Sequence, residues 1–160
     1  MNMKDNETAR LAEIRSFYDS IYYKSAKPST TVSRHLRRLA RKIGIQKNQQ
    51  VLDVACGAGE WLLACKELGA ATNGVDLSEK AITVCKTALL QGKFYSTPAE
   101  SLPFEDNRFD VVTCLGSLEH FVDPSKALKE MVRVAKNDAT FLLLVPNADF
   151  LTRRLGSFSG

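Results

Sequence analysis

The stretch Val51–Trp61, VLDVACGAGEW, carries an apolar run that contains Asp53 and then turns through Gly57 and Gly59. Glycines after a strand let a ligand come close to the backbone, and such turns commonly cradle phosphate groups. A carboxylate at the mouth of the turn argues against that use, because it repels phosphate and attracts an ammonium or sulfonium. The dinucleotide fingerprint also wants a third glycine three residues after the second, and that position here is Leu62. Asp53 is therefore read as a holder of a cationic group; the alternative is an aspartate that only caps the loop.

A second carboxylate, Asp76 in GVDLS, follows the turn by about 20 residues, the spacing at which an acid at the end of a second strand accepts hydrogen bonds from both ribose hydroxyls. The acid is shared with dinucleotide enzymes, so it argues for a nucleoside and not for a reaction; S-adenosylmethionine, with adenosine, a sulfonium, an amino group and no phosphate, fits a ligand that has a ribose at one end and a cation at the other. Its product after loss of the methyl group is S-adenosylhomocysteine.

The elements that must hold these residues follow from periodicity. Residues 1–45 are helical in pattern, with Leu11, Ile14 and Tyr18 at helical spacing and Pro28 breaking the run before SRHLRRLARK. Strands are predicted at Val51–Ala55, Thr72–Leu77, Phe94–Ser96, within RFDVVTCLG, and in ATFLLLVP, which stops at Pro146. Between them lie helices: one with Trp61, Leu62, Cys65 and Leu68 inward and Gly69 at its end, one capped by Ser78, and one opening at Asp123-Pro124 with Leu128, Met131 and Ala135 inward. Strands alternating with helices give an α/β fold, a doubly wound parallel sheet, and the expected strand order is 3-2-1-4-5. Ligands of such sheets bind beyond the strand C-termini at the switch point, beside the first strand.

With these motifs in order, residues 46–148 resemble the class I S-adenosylmethionine-dependent methyltransferases, in the type 11-like subgroup that includes small-molecule and quinone-pathway enzymes. VLDVACGAGEW matches the family's glycine-rich loop for the methionine part of the cofactor; Asp76 matches its ribose acid; PAESLPF matches its D-A-E-x-L-P-F segment after strand 3; Leu118-Glu119-His120 matches its LEH after strand 4. The resemblance implies a Rossmann-like methyltransferase fold and a cofactor site of Asp53, Ala55, Cys56, Gly57, Gly59, Asp76, Leu77, Ala99, Glu100 and Leu115, the alanine and glutamate flanking the adenine. Pro98 stands where the family often has Asp, and Ala55 where it usually has Gly. The family sheet continues past strand 5 with a helix and an antiparallel strand pair. This chain stops at residue 160, so the usual C-terminal strand pair is expected to be lacking and residues 149–160 are read as a truncated tail. Residues 1–45 form an N-terminal helical cap on this reading, in which Tyr18, Tyr22 and Tyr23 either form a lid or pack on the sheet.

Methyl transfer from a sulfonium is an in-line displacement at carbon, and alignment of acceptor, methyl and sulfur is the protein's main task. An oxygen or nitrogen acceptor needs a base, and His120 is the candidate that the motifs bring near the site; its other reading is structural. Glu119 belongs to the hydrogen bonding of the same loop. The expected partner is a small-molecule methyl acceptor. Two competing readings are a cofactor-binding module inactive by itself, and a nucleoside-binding enzyme of other chemistry, either nicotinamide-dependent or aminopropyl-transferring.

Composition narrows the field further. Of 160 residues, 44% are apolar and 25% charged, enough for a core, and no apolar run reaches the length of a membrane span. The polar start MNMKDNETAR has no secretory core. Cysteines 56, 65, 85 and 114 have no metal or disulfide spacing and read as reduced packing residues of a cytoplasmic protein. No metal is expected. The basic helix over Ser33–Lys42 is either a solvated amphipathic face or a contact for an acidic partner or anionic lipid surface. No aromatic residues interleave with its charges, so no nucleic-acid partner is expected. Strand 5, long and free of charge from Ala139 to Pro146, would form a sheet edge prone to self-association.

Overall fold

A computed structural model of the chain describes residues 3–28 and 31–146. The expected tail at 149–160 lies outside the described residues. Helix α1 spans Met3–Phe17 and runs into a π-helical turn, Tyr18–Tyr22, closed by the Tyr23 N–H on the Tyr18 carbonyl at 2.7 Å. Then come α2 (Arg34–Lys42), β1 (Gln50–Val54), α3 (Glu60–Glu67), β2 (Ala71–Asp76), α4 (Glu79–Ala88), β3 (Lys93–Ser96), β4 (Phe109–Leu115), α5 (Pro124–Val134) and β5 (Ala135–Leu144). All strands are parallel, in the order β3-β2-β1-β4-β5.

The local signals act as their chemistry requires. Ser78 Oγ accepts the Ala81 N–H at 3.1 Å and caps α4, and Asp123 Oδ1 accepts the Lys126 N–H at 3.0 Å ahead of Pro124. Helix α3 ends at Gly69, whose φ of +86° directs its own N–H to Lys66 and that of Ala70 to Cys65. Paired bonds of this kind satisfy carbonyls left open in the last turn.

Alternate residues of the strands supply two cores. On one face Val51 and Val111 pack with Trp61, Leu62 and Cys65 of α3 and Ile82 and Cys85 of α4. On the other, Leu52, Val54 and Val112 pack with Ala127, Met131 and Val134 of α5. Complete burial of a side chain such as Met131 contributes about 1.5–3 kcal/mol. The inner face of α5 is thus Ala127–Met131–Val134, with Leu128 at its margin. Ala135 is the first residue of β5 and not part of the helix, which corrects the expected boundary. The strand begins four residues early because Ala135 pairs with Phe109, after which the register shifts and Thr140 faces Val111. Such an irregularity, without apolar alternation over Lys136–Asp138, leaves no strand pattern to read in sequence.

Candidate functional site

The C-terminal ends of β1 and β2 open into a cleft of about 610 Å³, its open mouth included, within the range of small-molecule sites. Ala55, Asp76 and Leu77 form its floor, residues 97–100 one wall and Ser117 with residues 120–122 the other. Leu11, Ile14, Tyr18 and Tyr23 roof it. Of the three tyrosines, Tyr18 and Tyr23 therefore face the cleft, whereas Tyr22 packs edge-on against Tyr23 at 4.8 Å and is 68% exposed.

Asp76 is the best-positioned group. It is buried, with Oδ2 accepting the Gly57 N–H at 2.9 Å and Oδ1 accepting the Ser78 N–H at 2.8 Å. Each oxygen keeps lone-pair capacity for a further donor. Burial raises its pKa, and the two backbone bonds oppose that rise. Ser78 does a second job that sequence reading did not assign: its hydroxyl donates to Asp19 of the π-helical turn, tying the roof to the floor.

Asp53 lies beneath the cleft and not on its surface. It is buried on the α3 side of β1, where Thr113 Oγ1 donates to Oδ1 at 2.6 Å and in turn accepts the Trp61 indole N–H at 3.0 Å. Desolvation pushes its pKa up to about 7, against the Thr113 hydrogen bond and with help from the Asp76 charge. Thr113 and Trp61 were absent from the expected site. The available signal was a hydroxyl within VVTCL, because a polar side chain in a central strand needs a partner.

The glycine turn is tightly enclosed. The phenol oxygen of Tyr23 sits only 2.7 Å from where a Cβ on Gly57 would be, and Cys85 Sγ 2.8 Å from one on Gly59. Cys85 donates to the Gly57 carbonyl at 3.2 Å, and its sulfur lies 3.9 Å from that of Cys56. These two thiols thus hold the turn besides filling space. Ala55 adopts φ +61°, a left-handed conformation suited to the glycine it replaces. Leu115 is half-buried against the α3-side core, away from the cleft lining.

Glu100 is buried on the cleft wall and accepts the Asp123 N–H at 3.0 Å, fastening the 97–100 segment to the start of α5. Arg133 braces the residues that follow, donating to the carbonyls of Leu102 and Phe104 and to Glu130, which accepts the Leu102 N–H. His120 lines the cleft, is more than half exposed and has Glu119 at 3.7 Å. Among the described residues no three His, Cys, Asp or Glu side chains are grouped to hold a metal ion, and all four cysteines are free and buried.

A parallel 3-2-1-4-5 sheet with an acid at the end of β2 bonded to the glycine turn after β1 is the Rossmann-like arrangement expected of class I methyltransferases. The methyltransferase-domain family model matches residues 52–143, and the chain belongs to that family. The demethylmenaquinone methyltransferase of Staphylococcus aureus (strain MRSA252) is 40% identical over 106 residues, covering 62% of this chain and 44% of that protein. The uncharacterized methyltransferase YcgJ of Bacillus subtilis (strain 168) is 39% identical over 100 residues, 59% of this chain and 40% of its own. The solved YcgJ structure superposes with a TM-score of 0.63 at 33% identity, over 69% of this chain and 50% of that one. The PH0226 protein of Pyrococcus horikoshii reaches a TM-score of 0.67 at 27% identity, over 87% and 72%. The chain spans less than half the length of the curated relatives it matches.

Proposed function

We propose that this chain forms the S-adenosylmethionine site of a methyltransferase that acts on a small-molecule acceptor by in-line displacement. The observation that carries the reading is Asp76: a buried carboxylate on the cleft floor whose two oxygens are oriented by the Gly57 and Ser78 N–H groups and remain able to take a ribose diol. On this reading Ala99 and Glu100 flank the adenine, Leu77 lies beside Asp76 under the ribose, and Ala55, Cys56, Gly57 and Gly59 carry the methionine portion past Asp53. Pro98 offers no side-chain acceptor to an adenine amino group. When bound, the cofactor supplies a methyl on a sulfonium, already a good leaving group.

The chain's own residues would then orient and enclose. Tyr18 and Tyr23 close over the floor and exclude water, which strengthens the attraction between Asp53 and a cation. His120 is the base for an acceptor that must lose a proton. A cytoplasmic setting suits four buried thiols that are not cross-linked.

The matched span, well under two thirds of each curated relative, favours a second reading, a cofactor-binding portion that needs further elements for transfer. A nicotinamide site is disfavoured because Leu62, where a third glycine would sit, is fully buried in the core. Calorimetric titration with S-adenosylhomocysteine and with NADH tests the proposal: the first is expected to bind and the second not. Binding of NADH alone would refute it.

A further inference from the structure

The cleft is acidic. Asp76 and Glu100 are buried in its floor and wall and Asp53 lies beneath it, while no Lys or Arg is among its lining residues. Such a site suits a sulfonium or an ammonium. The amino-acid end of the proposed cofactor also carries a carboxylate, which three neighbouring acids repel unless a hydrogen-bond donor is aimed at it.

The glycine turn has few donors left to offer. The Cys56 N–H is bonded to the Val75 carbonyl at 2.9 Å, that of Gly57 to Asp76 at 2.9 Å, and that of Gly59 to the Cys56 carbonyl at 3.0 Å. A side chain stands where these are spent. Tyr23 lines the cleft, and its phenol oxygen comes within 2.7 Å of the place a Cβ on Gly57 would take, an approach that only glycine allows. Among the described residues that oxygen takes part in no hydrogen bond. Burial first, and then the Asp76 charge, raise the pKa of the phenol, so it keeps its proton and is a donor. Tyr18, the other phenol of the roof, feels Glu119 as well as Asp76 and shares a second hollow with His120, on the opposite side of the cleft.

We propose that Tyr23 is a specificity residue for the amino-acid end of the cofactor, its phenol O–H donating to the ligand carboxylate where that end passes the Gly57 turn. The inference rests on the cofactor reading given above. A hydrogen bond from a phenol to a carboxylate is charge-assisted. A neutral donor also leaves the field of Asp53 and Asp76 intact, whereas a Lys or Arg in its place would pair with those acids and weaken their hold on the ligand's ammonium.

The test is calorimetric titration of the full chain and of Tyr23→Phe with two ligands: S-adenosylhomocysteine, and its decarboxylated analogue, which keeps the adenosine, sulfur and ammonium. Phenylalanine retains the ring that packs on Tyr22 at 4.8 Å, and circular dichroism checks that the fold is kept. Tyr23→Phe should lower affinity for S-adenosylhomocysteine about tenfold or more and leave affinity for the analogue within about twofold, because the lost donor has no carboxylate to serve there. Equal loss for both ligands would overturn the proposal, since Tyr23 would then act on the adenosine or on closure of the roof in general. Undiminished binding of S-adenosylhomocysteine to the variant would overturn it too. A wild type that binds neither ligand would remove the cofactor reading itself, and this inference with it.

Discussion

Asp76 Oδ2 accepts the Gly57 N–H at 2.9 Å, joining the end of β2 to the glycine turn that follows β1. The carboxylate proposed to hold the ribose and the loop expected to carry the methionine part of the cofactor are thus one hydrogen-bonded unit. An alteration at either end is felt at the other.

Asp76→Ala should therefore affect stability as well as binding. Ligand affinity is expected to fall by about 1.5–3 kcal/mol if two charge-assisted ribose bonds are lost. Folding should weaken by about 1–3 kcal/mol, because the Gly57 and Ser78 N–H groups lose their acceptor. Asp76→Asn, which keeps one oxygen, should recover part of both. Calorimetry with S-adenosylhomocysteine and urea unfolding of the three proteins read the two effects separately; unchanged affinity in the alanine variant would remove Asp76 from the site.

On the proposed role of Asp53 beside the cofactor's cation, binding should depend on pH. Its pKa of about 7 is raised mainly by burial, and a cation placed beside it favours the ionised form. Affinity for S-adenosylhomocysteine, which carries an ammonium, should rise as pH increases through 7 and level off above it. Asp53→Asn should flatten that profile. A wild-type profile already flat across this range would refute the role.

The same shift has a stability consequence of opposite direction. A carboxyl whose pKa is higher in the folded chain than in the unfolded one, where it is about 3.9, supports folding fully below the unfolded value. That support is lost as pH rises toward about 7, by up to about 4 kcal/mol on the size of the shift. Without ligand, wild type should lose stability relative to Asp53→Asn between those two pH values. Urea midpoints of both proteins across the range check this, and a constant difference would contradict it.

Ala55 holds φ +61° where glycine costs nothing. Ala55→Gly should stabilise the chain by about 1 kcal/mol, the left-handed penalty less the added freedom of the unfolded state. Thermal unfolding measures the gain. A loss of stability would mean that the methyl group's contacts outweigh the strain.

Strand β5 pairs only with β4 among the described residues, and Phe141, Leu143, Leu144 and Val145 are each at least 41% exposed. Self-association through this edge is the expected result. Sedimentation velocity should show a concentration-dependent dimer in wild type and a monomer in Leu143→Lys, with S-adenosylhomocysteine binding retained. A wild type that stays monomeric at all concentrations would argue against it.

Sequence by itself determined the strand order, because strands alternating with helices permit few right-handed arrangements, and the relative places of Asp53, Gly57, Gly59 and Asp76, because the strand-turn-helix period sets them. It also identified the caps at Ser78 and Asp123, whose signals are local. What lay beyond it depends on contacts distant along the chain. Thr113 is 60 residues from Asp53, and no period links them; only the β1–β4 pairing brings the hydroxyl to the carboxylate. The same pairing buries Asp53, so the carboxylate that the sequence reads as a holder of a cationic group is also a desolvated acid with its pKa pushed up to about 7. The early start of β5 was hidden because its first residues carry no apolar alternation and are held by register with β4 alone. Tyr23 over Gly57 and Asp19 on Ser78 likewise required the N-terminal segment to fold back on the sheet, a decision that belongs to tertiary packing and not to any local preference.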